Sequence, residues 1–369
     1  MLAIVTIVCA AAVAGANGSN DVSKGVATLV GSRLATYRQG LRWGTVWTAA
    51  GAIAALALAT TMLRTFSTGL VVGPFATSAV FPLAVAIGAF GWVLIASRTG
   101  LPVSTTHLLT GAIVGTALAA GGPAGVRWMA AFNTVALPLA FSPIAAAAIA
   151  YAVHALVSRR LSAASRYCVC VQEQSLVALS VLPAGAVAAV RPLKLPFVVV
   201  DEERACTSIE TLGSVRFTDA AHWTTSAALS FARGLNDTPK IMALGLAAAA
   251  IFGIHAPLLY VIGACVMAAG SVMAGRRVTE TLAERVTEVD PLEGLAASAV
   301  AASLVLAASF VAVPVSTTHV ASGAIVGVGL RAGRGAVRWG TVRSMIVAWV
   351  VTLPVSAAGA AAAWILLQQ

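Results

Sequence analysis

The chain has 369 residues, a net charge of +10 at pH 7 and only 10% charged residues, with a mean hydropathy of +0.92. Apolar runs of about 20 residues, enough to span roughly 30 Å of hydrocarbon, recur along it and exclude a soluble globular protein. The excess of Lys and Arg then belongs to cytoplasmic loops rather than to nucleic-acid binding.

The sequence predicts an all-α polytopic membrane protein whose Ala, Gly and Val content suits close helix packing in lipid. The first apolar run resembles a signal peptide but has no basic leader, and the polar cluster at 17–24 recurs later, so it reads as mature structure. Crossings are predicted at 2–30, 43–63, 69–96, 101–121 and 129–157. A polar linker, 158–222, follows. It contains a strand-like run at 194–201 and the cysteines Cys168, Cys170 and Cys206, whose spacing is weak evidence for a metal or redox site. The second half offers 223–253, 257–275, 292–313, 314–330 and 342–367, with a short surface helix or loop at 280–290. The expected domains are a first transmembrane repeat at 1–157, the linker at 158–222, and a second repeat at 223–369.

The two halves carry the same landmarks in the same order. Asn20-Asp21 with Lys24 matches Asn236-Asp237 with Lys240, and Pro102-Val103-Ser104-Thr105-Thr106-His107 recurs as Pro314-Val315-Ser316-Thr317-Thr318-His319. Val126-Arg127-Trp128 matches Val337-Arg338-Trp339, and Leu137-Pro138 matches Leu353-Pro354, with all offsets between 211 and 216 residues. Equivalent loops differ in basic charge. Arg33, Arg38 and Arg42 follow the first Asn-Asp motif and no arginine follows the second; Arg127 alone follows the first hexapeptide helix, but Arg331, Arg334, Arg338 and Arg343 follow the second. The positive-inside rule then places equivalent loops on opposite sides of the membrane. The expectation is an inverted repeat in the cell membrane, both termini extracytoplasmic, the linker cytoplasmic, and broken or re-entrant helices at the midplane, as in secondary transporters.

Proline followed by Ser or Thr starts and caps a helix, and a helix N-terminus with free N–H groups and about half a positive charge attracts anions. Ser104, Thr105, Thr106, Ser316, Thr317 and Thr318 are therefore candidate anion ligands from both halves. Intramembrane carboxylates are rare and usually functional, which makes Asn20, Asp21, Lys24, Asn236, Asp237 and Lys240 candidate coupling residues, each lysine one helical turn from its aspartate. Gly15, Gly18, Gly25, Gly234 and Pro239 are expected to break the helices there. His107 and His319 could donate to the anion, move protons, or simply bond a carbonyl. Arg233 could face the anion, with the cytoplasmic interface slightly favoured. An intramembrane hydrolase built from Ser104 or Ser316 with His107 or His319 is disfavoured, because the whole set is duplicated about an axis.

These residues resemble the inorganic phosphate transporter (PiT) family. The similarity lies in Gly18-Ser-Asn-Asp-Val22 and Gly234-Leu-Asn-Asp-Thr238, in the paired Ser-Thr-Thr-His segments, and in Gly275-Arg276-Arg277-Val278 with Thr281. The resemblance implies ion-coupled phosphate import, a homodimer in lipid, hydroxyl segments that bind phosphate and Asp motifs that bind the coupling ion, with no cofactor or metal beyond H⁺ or Na⁺. Sodium-coupled members of the family carry Asn at the positions of Lys24 and Lys240, and glutamates where this chain has Thr48 and Ser298. A lysine ammonium beside each aspartate would act as a tethered cation, and buried lysines release protons readily, so proton coupling is expected. A sulfate permease of the same fold is the alternative, and an anion channel is the alternative from another class.

Overall fold

Long apolar stretches with few breakers fold as helices, and the computed structural model, which describes residues 1–176, 193–202, 206 and 211–369, is built mainly of them. The other linker residues, 177–192, 203–205 and 207–210, lie outside the described residues. Helices α1 (Leu2–Gly31) and α2 (Tyr37–Leu58) open the chain. The Thr36 hydroxyl accepts from the Gln39 N–H while the Gln39 side chain accepts from the Thr36 N–H, a reciprocal cap that fixes the start of α2. A short α3 (Thr60–Arg64), a π turn (Thr65–Gly69) and a 3-10 turn (Pro74–Thr77) lead to α4 (Val80–Thr99). The crossing expected over 69–96 thus becomes helical only at Val80, because Gly73, at φ 131°, and Pro74 interrupt it. Next come α5 (Thr105–Gly121) and one continuous helix made of α6 (Trp128–Ala130), a π segment (Ala131–Ala136) and α7 (Leu137–Ala164). The second half supplies α8 (Phe217–Ile251), α9 (Ala256–Ala274), α10 (Arg276–Glu284), α11 (Pro291–Phe310), α12 (Thr317–Ala332) and α13 (Trp339–Leu367).

Among the described residues seven helices are long and apolar enough to cross a membrane. That is fewer than the ten segments expected. The 17-residue α5 and 16-residue α12 are only about 26 and 24 Å long at 1.5 Å per residue, short of the roughly 30 Å core. The 35-residue α8 is long enough, but Asp219, Arg233, Asp237 and Lys240 make it polar. The hexapeptides sit where helices are interrupted: α4 ends on left-handed Gly100, at φ 76°, before α5, and α11 ends just before Ala312, at φ 56°, ahead of α12. The break expected at the Asn-Asp motifs does not occur. α1 and α8 run unbroken through Asn20-Asp21 and Asn236-Asp237, Pro239 included. Their glycines serve close approach instead: a Cβ on Gly18 would overlap the Met267 carbonyl of α9, and one on Gly234 the Thr48 carbonyl of α2.

The described residues form two compact units, one of Met1–Ala155 with His222–Gln369 and one of Leu156–Ala221. In the larger unit the halves interleave. α1 packs on α9 and α5 on α13, while Gly323 and Gly327 of α12 press on the Pro143 and Ala147 carbonyls of α7. The smaller unit holds an antiparallel sheet of β1 (Tyr167–Leu176), β2 (Leu193–Glu202) and β3 (Thr211–Arg216) in the order β2-β1-β3, with Cys170 opposite Val199 and Ser214. β2 covers the strand-like run expected at 194–201.

Candidate functional site

The hexapeptides build the centre of the larger unit. Proline and valine keep the chain extended before the helix. Ser104, at φ −98° and ψ 121°, then caps α5 by accepting from the His107 N–H at 3.3 Å. Ser316, at φ −92° and ψ 115°, caps α12 through the His319 N–H at 3.1 Å. The first N–H groups of each helix have no intrahelical partner. All six Ser and Thr candidates are buried.

The two segments hold each other. The Thr106 hydroxyl donates to the Val315 carbonyl at 3.1 Å, and the Thr318 hydroxyl donates to the Val103 carbonyl at 2.7 Å. These are equivalent positions bonded reciprocally, the pattern a two-fold relation between halves produces. Each segment also meets its own Asn-Asp motif. The Thr105 hydroxyl donates to Asp21 Oδ2 at 2.8 Å, and Thr317 lies 3.5 Å from Asp237 Oδ2.

The lysines complete the cluster. Lys24 Nζ donates to Asp21 Oδ1, to Asn20 Oδ1 at 2.8 Å and to the Val103 carbonyl at 3.3 Å. Lys240 Nζ donates to Asp237 Oδ1 at 3.2 Å, to the Val315 carbonyl at 3.3 Å and to Thr106 Oγ1 of the other half at 2.8 Å. Asn20 receives the Val103 N–H at 3.1 Å and donates to the Leu101 carbonyl at 2.9 Å. Asn236 donates to the Val315 carbonyl at 3.1 Å, and its Oδ1 has no partner among the described residues.

Arg233 corrects an expectation. It is not at an interface but wholly buried, because its guanidinium finds acceptors inside: Thr48 Oγ1 at 3.1 Å and Asn17 Oδ1 at 2.8 Å. Asn17 is the position equivalent to Arg233 in the first half, so here too equivalent positions meet. Asn17 in turn donates to Asp21 Oδ2 at 3.0 Å and to Thr105 Oγ1 at 2.6 Å, which links the arginine to the first hexapeptide. Asn17 and the Val103 and Val315 carbonyls are site members the sequence did not single out, and Thr48 entered there only as a departure from the family pattern. The 216-residue offset between the Asn-Asp motifs sets Asn17 opposite Arg233, but carbonyls carry no sequence signal. With every group ionised the cluster has three cations, Lys24, Lys240 and Arg233, against two carboxylates, an excess of one positive charge suited to an anion.

His107 and His319 turn elsewhere. Their ring centroids are 4.7 Å apart, and His319 Nδ1 is 2.9 Å from the Leu139 carbonyl, the carbonyl bond that was one of the expected roles. Both rings line a largely apolar cavity of about 1270 Å³ flanked by Trp128, Phe132, Tyr151 and Trp349. His107 Nδ1 and His319 Nε2 have no hydrogen-bond partner among the described residues.

Residues 17–360 match the model of the Phosphate transporter family. The chain is similar to the chloroplastic inorganic phosphate transporter 2-1 of Arabidopsis thaliana, 30% identical over 92% of this chain and 68% of that protein. It is 28% identical to the "Probable low-affinity inorganic phosphate transporter" of Bacillus subtilis, over 100% of this chain and 97% of the relative. A solved structure titled as the sodium-dependent phosphate transporter superposes with a TM-score of 0.78, covering 100% of this chain and 99% of its own, at 22% identity. At that identity the likeness is one of fold.

Proposed function

The chain belongs to the Phosphate transporter family, and from that premise we propose that it is an ion-coupled secondary transporter that imports inorganic phosphate across the cell membrane. It is a multi-pass membrane transporter and not an enzyme. The anion is held between the N-termini of α5 and α12, where the N–H groups and the hydroxyls of Ser104 and Ser316 supply neutral donors, and the hydroxyls of Thr105, Thr106, Thr317 and Thr318 join them by turning from Asp21, Val315, Asp237 and Val103. Neutral donors bind an oxyanion without a tightly held counter-charge, which leaves release feasible. The observation that carries this reading is the reciprocal bracing of the two segments by Thr106 and Thr318, with the Lys24 ammonium on the Val103 carbonyl of the first and the Lys240 ammonium on the Val315 carbonyl of the second.

Coupling falls to the Asn-Asp-Lys sets. The ammonium groups of Lys24 and Lys240 occupy the carboxylates that a sodium ion would need, which supports protons over sodium as the driving ion. Sodium remains the alternative, since a protein of the same fold is described as sodium-dependent. Phosphate uptake into proteoliposomes tests this with and without Na⁺ and across a pH gradient. Proton coupling gives uptake that follows the pH gradient and ignores Na⁺; strict Na⁺ dependence would sink it. Excess unlabelled sulfate in the same assay separates phosphate from sulfate transport, and saturable rather than ohmic flux separates a carrier from a channel.

A further inference from the structure

The smaller unit holds three cysteines for which phosphate transport has no use. β1 alternates between its faces: Tyr167 and Val169 are exposed, while Cys168 and Cys170 are buried on the other side. Cys206 comes to the same place, and the three sulfurs lie within 4.8 Å of one another. Cys168 and Cys206 are joined as a disulfide, Cys170 is a buried free thiol, and the Gln172 amide donates to its sulfur at 3.7 Å. A structural cross-link needs two sulfurs, so the third requires its own explanation.

Three thiolates about 2.3 Å from one ion stand about 3.8–4.0 Å apart, a spacing that the cluster allows. The set contains no carboxylate or imidazole among the described residues, and an all-sulfur set selects soft ions such as Zn²⁺, Cd²⁺ or Cu⁺ over Mg²⁺ or Ca²⁺. Arg159, Arg160 and Arg166 lie at the start of the unit. In the proposed orientation they mark the cytoplasmic side, where thiols are held reduced and disulfides are usually transient.

We propose that Cys168, Cys170 and Cys206, when reduced, form a three-thiolate site for a thiophilic cation, and that the Cys168–Cys206 disulfide is the oxidised form of that site. A small-molecule disulfide is the oxidant. The Cys168 thiolate attacks it, forming a mixed disulfide and expelling one small thiolate. The Cys206 thiolate then attacks the Cys168 sulfur, closing the Cys168–Cys206 bond and expelling the second. Two electrons pass from the protein to the small disulfide, and the ion, left with Cys170 alone, departs.

The test uses the full-length protein with Cys9→Ser and Cys265→Ser, so that only these three thiols remain. The reduced protein is titrated with Cd²⁺ without oxygen, reading sulfur-to-cadmium charge-transfer absorption and bound metal by native mass spectrometry. The expected result is saturation at one ion per chain, release of that ion when excess oxidised glutathione is added, and rebinding after reduction. Cys170→Ser is expected to weaken binding at least about tenfold, given that loss of even an outer-shell partner costs 10- to 100-fold. Absence of saturable binding to the reduced protein overturns the proposal, as does retention of the ion after oxidation or unchanged affinity in Cys170→Ser. The redox cycle of the parent protein decides the matter even where the serine variant folds poorly.

Discussion

Arg233 shows how one buried side chain joins the two halves. Its guanidinium bonds Thr48 and Asn17, and Asn17 bonds both Asp21 and Thr105. Removing one partner of a buried ionic network typically costs about 3–5 kcal/mol, because the remaining charges lose compensation. Arg233→Gln is expected to lower the thermal unfolding midpoint in detergent markedly and to reduce phosphate uptake at least about tenfold; a variant with wild-type stability and uptake would show that the arginine is idle. The threonines test the anion reading separately. Thr105→Val and Thr317→Val keep the volume and remove one hydroxyl each. Uptake should be abolished in both while the helical circular dichroism signal stays unchanged, and wild-type uptake would refute their role. At this scale the sequence was informative for the hydroxyls, aspartates and lysines, because duplicated polar residues in an apolar chain stand out. For Arg233 it offered two places, facing the anion or at the cytoplasmic interface, and could not choose, because the acceptors lie 185 and 216 residues away.

The elements around the hexapeptides differ between halves in one telling way. Gly100 and Ala312 occupy equivalent left-handed positions, at φ 76° and φ 56°, ahead of α5 and α12. Glycine adopts that conformation without a Cβ clash, whereas alanine pays about 1–2 kcal/mol, partly offset by the about 0.5–1 kcal/mol entropic cost of glycine. Ala312→Gly should therefore raise stability, by up to about 1 kcal/mol, read as a higher unfolding midpoint; a lower midpoint would mean the turn is not strained. The sequence also misplaced a break. Glycines beside Asn20 and Asn236 suggested interrupted helices, yet α1 and α8 continue. A glycine needed for helix contact and one needed for a kink look alike in sequence. Only the neighbours, Met267 and Thr48, reveal which it is.

At the scale of the whole molecule, the basic loops converge. Tyr37, just after Arg33, bonds Glu284, and Arg276 stacks over the Tyr37 ring at 5.2 Å. From the second half, Arg338 bonds the Glu284 carbonyl and, at 3.2 Å, the Glu288 carboxylate. The arginine-rich loops of both halves thus gather around α10 on one face, as they must if both are cytoplasmic. Arg127, in the loop equivalent to that of Arg338, instead donates to the Val71 carbonyl at 3.0 Å. An inverted repeat then makes a sharp prediction in a background without native cysteines. A membrane-impermeant maleimide should label Ala124→Cys on intact cells, and Gly335→Cys only after permeabilisation. Labelling of both from one side would rule out the inversion.

The sequence by itself determined the membrane setting, the duplication, the charge bias of the loops and the hydroxyl-rich helix starts. Each of these is local: hydropathy, repeated letters, and capping residues next to the helix they cap. The tertiary structure decided how the halves meet. Thr106 reaches Val315, Thr318 reaches Val103, and Arg233 reaches Asn17. It also kept α1 and α8 continuous and brought Cys206 to Cys168 and Cys170. These pairings join residues far apart in the chain, and their partners are often backbone carbonyls, which every residue carries. Only the packing of helices from both halves selects which carbonyl a hydroxyl or ammonium finds, because a buried donor must be satisfied by whatever the fold brings within reach.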